Sequence, residues 1–162
     1  MEYCSVGSKP ADDDGYFEEM TKAVFRSGFN WKVIENKWEG FRKAFADFSI
    51  QKVARFDDPD LDQLLKDKGI VRNYRKIEAT LKNAREMLEI QEKHGSFKKY
   101  LDEVSRQGEE KLCKELSKRF SHLASSTALF FLRSVGLEMP ETTQKWEKEY
   151  SGKVKKLRGQ SS

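Results

Sequence analysis

Two short stretches hold the residue types best suited to handling a nucleotide. Residues 28–31, "GFNW", set a glycine three positions before a tryptophan, and residues 68–76, "KGIVRNYRK", set a glycine and two branched apolar residues ahead of a cationic run. An indole offers a flat apolar face on which a base can stack. A glycine-centred turn that opens a helix points backbone N–H groups outward, where they can hold a phosphate oxygen. In the second stretch Gly69 marks the turn, Ile70 and Val71 pin it to a core, and Arg72, Asn73, Arg75 and Lys76 add donors and positive charge. Donors of this kind hold a sugar–phosphate strand without reading its sequence. The same residues also describe a plain corner between two helices whose glycine only permits the turn.

The elements that must position these groups are helical. The chain has 162 residues, 37% hydrophobic and 12% aromatic, enough for one core and one domain. With 36% charged residues and only three prolines, an all-α fold is expected. Residues 1–15 read as an irregular lead-in, with Asp14 a candidate helix cap before a first helix that starts near Tyr16 and carries Phe17, Met20, Ala23 and Val24 on one face. Gly28 stops it. A second helix is expected from Trp31 to Phe45, with Ile34, Trp38 and Phe41 on its apolar face, and a short third one within "FSIQKVARF". Asp58-Pro59 opens another that runs toward Gly69, and a long helix follows from about Asn73 to Lys93, ended by "KHGS". Further helices are expected over 97–105, 110–119 and 125–135, the last a central buried run. The folded domain is assigned to 16–150 and a basic tail to 151–162.

The charge balance narrows the classes of partner. The net charge of +4 is matched by Lys153, Lys155, Lys156 and Arg158 of the tail alone, so the body is near neutral. Cys4 and Cys113 lack the short spacing of a thiol or zinc motif, and no apolar run approaches the ~20 residues that span a bilayer. No cofactor is expected, no membrane association, and a cytoplasmic monomer is the reading.

From Tyr16 to Tyr100 the sequence resembles the DNA-3-methyladenine glycosylase I family, whose fold belongs to the helix-hairpin-helix superfamily. The likeness is carried by "YFEEM", "SGFNWKVIENKWEGFRKAFADF", "VARF", "DKGIVRNYRKIEATLKNA" and "GSFKKYL", with a weaker match over "LSKRFSHLASSTALFFLRSVGL" and in "MEYC". The resemblance implies a DNA partner, a duplex carrying an alkylated base, and an enzyme that takes that base out of the stack and hydrolyses its N-glycosidic bond. It places Trp31 in the base pocket with Ala23, Phe29, Ser125 and Ser126, and it gives the phosphate grip to Gly69, Ile70, Val71, Arg72, Asn73 and Lys76. Trp38 has no such support and is assigned to the core.

The departures from the family pattern are as specific. The glutamate expected eight residues before the tryptophan is Ala23 here, and the glutamines that follow are Phe25 and Arg26. Glu19, one turn earlier, is the only candidate for a catalytic carboxylate. Of the four zinc ligands that the resemblance implies, only Cys4 is kept, with Glu141 and Lys145 at two of the other positions, so no metal is expected. His94 and His122 do not restore the set, and the loop between Tyr100 and Phe120 is shorter than the family's. Three functional classes follow: a glycosylase of altered specificity, a DNA-binding module without base chemistry, and a helical interaction protein that ignores DNA.

Overall fold

The computed structural model describes residues 7–137, which form nine α-helices, one 3-10 turn and no strand. The helices are α1 (Asp13–Arg26), α2 (Trp31–Asn36), α3 (Trp38–Ala44), α4 (Ile50–Val53), α5 (Asp58–Lys66), α6 (Tyr74–His94), α7 (Phe97–Ser105), α8 (Glu109–Arg119) and α9 (Ser125–Ser134), with the 3-10 turn at Ala46–Phe48. The fold is all-α, and the boundaries from α5 onward fall within a residue or so of the sequence expectation. The basic tail, Glu141 and Lys145 lie outside the described residues.

Two expectations are corrected near the N-terminus and one in the second helix. The cap of α1 is Asp12, whose carboxylate accepts from Gly15 N at 2.9 Å, so the helix starts three residues before Tyr16. Asp14 instead accepts from Ile50 N at 3.0 Å, at the start of α4, and Asp13 accepts from Phe97 N at 2.8 Å, at the start of α7. The acidic run that looked like a spacer therefore satisfies orphan amides at three helix N-termini. The expected helix from Trp31 to Phe45 is broken at Lys37, where tertiary contacts override the apolar period: Lys37 Nζ reaches Lys68 O at 3.1 Å, and Trp38 Nε1 donates to Glu18 at 2.7 Å.

α1 packs against α6 and α9, and the core fills around them. Phe17, Met20 and Phe25 of α1 meet Phe41, Phe48, Ile77, Met87, Phe97 and Phe131, all fully or almost fully buried. Each such side chain contributes roughly 1.5–3 kcal/mol by leaving water. Trp38 belongs to this core, stacked on Phe41 at 4.8 Å and on Phe48 at 5.2 Å. α9 is buried through Thr127, Ala128, Leu129, Phe131 and Leu132, while Ser125 and Ser126 at its start are exposed, which corrects the reading of a wholly buried run. The described part of the lead-in also packs: Gly7 N donates to Arg133 O at 3.0 Å.

Candidate nucleic-acid interface and base pocket

α5 and α6 form a helical hairpin. A capping box between Asp57 and Asp60 fixes the start of α5, Asp67 accepts from Gly69 N at 2.7 Å in the turn, and Asn73 caps α6 by accepting from Lys76 N at 3.2 Å. Ile70 is buried and Val71 packs on the core's edge. Gly69 does not adopt a positive φ. The turn rests on α3, and the residue that must be small there is Gly40: a Cβ on it would collide with the Gly69 carbonyl oxygen. The amides of Val71, Arg72, Tyr74 and Arg75 find no acceptor among the described residues, and Arg72 and Arg75 are exposed and unpaired there. The exposed edge of the hairpin is thus an array of outward donors beside two guanidinium groups.

Lys76 was assigned to that array, and its ammonium is elsewhere. The side chain is 8% exposed and donates to Phe25 O at 3.1 Å and Ser27 O at 2.6 Å, carbonyls at the C-terminal end of α1. A cation there complements the negative end of the helix dipole. Burial lowers the Lys76 pKa from its ordinary value. The physical reason for the different placement is helical spacing: Lys76 shares the inward face with Ile77 and Thr80, while Arg72 and Arg75 face out. Asn73 is likewise engaged in capping.

The tryptophan site forms where α1 ends. Gly28, at φ 67°, reverses the chain after Ser27, and Asn30 caps α2 by accepting from Lys32 N at 2.9 Å. Trp31 is thereby brought back against α1, half-buried. Its ring meets the Phe130 ring edge-to-face at 4.8 Å, and the Arg26 guanidinium lies over it, 5.2 Å from the centroid. Arg26 Nε is buried without a hydrogen-bond partner. Phe29 stays 41% exposed, its ring 5.8 Å from Lys76 Nζ. Ser27 Oγ accepts from Thr127 Oγ1 at 3.4 Å, which joins this turn to the start of α9, where Ser125 and Ser126 lie.

Of the pocket residues read from sequence, Ala23 is buried on α1, and Glu19 pairs with Lys22 at 3.6 Å. The Lys22 ammonium lies over Trp38, so that pairing draws the Glu19 carboxylate toward Trp38 and not toward Trp31. Arg26 and Phe130 were missed as partners of Trp31. Helical spacing marks Phe130, since Ala128, Phe131, Leu132 and Val135 make the inward stripe and leave it at the flank. Arg26 is marked by the chain reversal at Gly28, which folds the last turn of α1 onto α2.

The zinc set fits poorly. Among the described residues no group of three or more His, Cys, Asp or Glu side chains is placed to hold a metal. Cys4 lies outside those residues, and a lysine at position 145 offers an ammonium where a metal needs a lone pair. An open depression of about 400 Å³ lies elsewhere, lined by Asp12, Asp13, Asp14, Ser49, Ile50, Gln51 and Gln91, and its carboxylates are engaged in the helix starts already described.

An all-helical body with a donor-lined hairpin and a tryptophan at the end of the helix beside it defines the class of helical proteins that pair a hairpin with an aromatic site. Within that class the chain belongs to the methyladenine glycosylase family, whose model matches residues 5–130. It is 27% identical over 154 residues to the DNA-3-methyladenine glycosylase of Haemophilus influenzae, an alignment that covers 81% of each chain. It is 31% identical over 91 residues to DNA-3-methyladenine glycosylase 1 of Escherichia coli, covering 56% of this chain and 49% of that one. Its fold matches that of 3-methyladenine DNA glycosylase I from Staphylococcus aureus with a TM-score of 0.74 at 27% identity, over 84% of both chains. No helix among the described residues is long and apolar enough to cross a membrane.

Proposed function

We propose that this protein is a base-excision DNA glycosylase, whose hairpin holds one strand of a duplex by its phosphates while an extruded, alkylated purine stacks at Trp31. The observation that carries this reading is the Lys76 clamp. Its ammonium joins the first turn of α6, in the hairpin, to the carbonyls of Phe25 and Ser27, beside the tryptophan turn. A strand held at the hairpin and a base held at Trp31 are then positioned by one rigid link. Unstacking a base costs a few kcal/mol, which an aromatic pocket helps to recover.

The chemistry is hydrolytic. The C1′–N bond of the damaged nucleotide breaks with its electron pair going to the base, and water adds to C1′. An N-alkylated purine is already cationic and leaves as a neutral base, so its bond is labile and recognition counts for more than proton donation. This accounts for a site with Ala23 where a carboxylate is expected. The protein acts as a cytoplasmic monomer in this reading, with Arg72 and Arg75 at the strand.

Release of the modified base from alkylated duplex DNA tests the proposal. Wild-type protein should release it and Trp31→Ala should not, with Ala23→Glu raising the rate on cationic lesions. Binding of duplex DNA without release by either protein would favour a second reading, a DNA-binding module without chemistry. The buried alanine at position 23 is the observation on that reading's side.

A further inference from the structure

The break at Lys37 lets one segment of chain serve two sites. α2 carries Trp31 at its start and is anchored in the core by Ile34, while α3 is anchored there by Trp38 and Phe41. Lys37 stands between them and closes α2, its backbone N–H donating to Val33 O at 3.1 Å and Ile34 O at 3.2 Å. Its ammonium donates to Lys68 O at 3.1 Å, in the hairpin turn 31 residues further along the chain. Three residues into α3, Gly40 backs onto the Gly69 carbonyl with no room for a Cβ. The hairpin turn thus rests on the joint between α2 and α3 through two successive carbonyls. With the Lys76 clamp this closes a ring: hairpin, α1 carbonyls, the turn at Gly28, Trp31 and α2, then Lys37 and the hairpin again. The span between the strand-holding edge and the tryptophan is therefore set from both ends.

We propose that Lys37 is a positioning residue for base release, which keeps the helix carrying Trp31 in register with the hairpin and touches neither base nor phosphate. The inference rests on the glycosylase reading and adds a residue to it. A purine stacked on Trp31 and a strand held beside Arg72 and Arg75 belong to one nucleotide chain, so the span between the two sites decides how C1′ of the extruded nucleotide meets the attacking water. A misplacement of about 1 Å can cost ~100-fold in rate. Affinity comes mainly from phosphate contacts, and the groups that make them keep their places when the Lys37 ammonium is removed. Its loss should fall on the bond-breaking step and spare binding.

The test compares wild type, Lys37→Met, Lys37→Arg and Trp31→Ala, each checked for unchanged helical content. Release of methylated bases is followed under single-turnover conditions, with saturating protein, on a duplex treated with a methylating agent. Affinity and its salt dependence are measured on the same duplex untreated. Lys37→Met should release bases about tenfold more slowly than wild type. Lys37→Arg, which keeps a donor for Lys68 O, should recover most of the rate, and both should bind the untreated duplex as wild type does, with the same salt slope. A lowered Tm in Lys37→Met with an unchanged release rate would show a structural role only and overturn the inference. A salt slope reduced by about 0.9 would also overturn it, because the ammonium would then be a phosphate contact. In both cases release by wild type that is lost in Trp31→Ala leaves the glycosylase reading standing. No release by wild type would overturn that reading and the positioning role with it.

Discussion

Replacing Lys76 with methionine separates a structural cation from a phosphate-binding one. The substitution keeps most of the apolar stem and removes an ammonium that donates at 2.6 Å to Ser27 O and at 3.1 Å to Phe25 O. Hydrogen bonds from a charged donor are worth about 1.5–3 kcal/mol each. Their loss is partly offset, because burial disfavours the ammonium, as the lowered pKa of Lys76 reflects. A net destabilisation of about 2–3 kcal/mol follows, or a fall in Tm of roughly 5–10 °C for a domain of this size. Arg72→Ala, on the exposed hairpin edge, should stay within about 0.5 kcal/mol of wild type. DNA titrations over a range of salt give the opposite ranking: Arg72→Ala should lower the slope of log affinity against log salt by about 0.9, and Lys76→Met should leave it unchanged. Urea unfolding followed by circular dichroism, alongside those titrations, reads both quantities. Unaltered stability in Lys76→Met together with a reduced salt slope would refute the reasoning, because the ammonium would then reach phosphate and not the α1 carbonyls.

Gly40→Ala drives a methyl group into the Gly69 carbonyl, so it should cost about 1–3 kcal/mol in urea unfolding and weaken DNA binding by shifting the hairpin; unchanged values for both would show that α3 does not seat the turn. Burial, helped by Glu115 and opposed by Arg119, pushes the Tyr100 phenol up to about 12. A pKa raised on folding stabilises fully below the unfolded value near 10 and is lost as pH climbs through the folded one, so stability should fall by about 2 kcal/mol across that window, and Tyr100→Phe should remove the fall. Burial alone would raise the Glu18 pKa, but hydrogen bonds from Trp38 and Arg42 outweigh it and lower the value overall. Its contribution is present above the unfolded pKa and lost as pH drops through the folded one, so Glu18→Gln should flatten the acid limb of the stability profile. Metal analysis of the purified protein should find no stoichiometric zinc and chelators should not shift its Tm, whereas zinc that disappears in Cys4→Ser would overturn the reading of the chain ends.

Much of the architecture was legible because local signals agreed with the tertiary outcome. Asp57-Asp58-Pro59, Asn73 and Ser96 open helices where capping chemistry says they should, and Gly28 and Gly95 close them at positive φ. What was not legible depended on long-range pairing. Nothing local tells that Asp13 and Asp14 cap helices that start 84 and 36 residues later, with Asp12 left to cap α1. The same limit applied at the site. Sequence proximity put Lys76 beside Arg72 and Arg75 as one cationic patch, although adjacent helix positions point about 100° apart, and inward-facing Lys76 finds its partners on α1 while Arg75 faces out. The resemblance pointed to Trp31 and to Ala23 at the glutamate position, but not to the cation that lies over the indole. That contact emerges only when the turn at Gly28 lays Arg26 over the indole. Lys76 and Arg26 both look like surface cations in the sequence, and the fold carries one onto the α1 carbonyls and the other over the Trp31 ring, placements that no local signal announces.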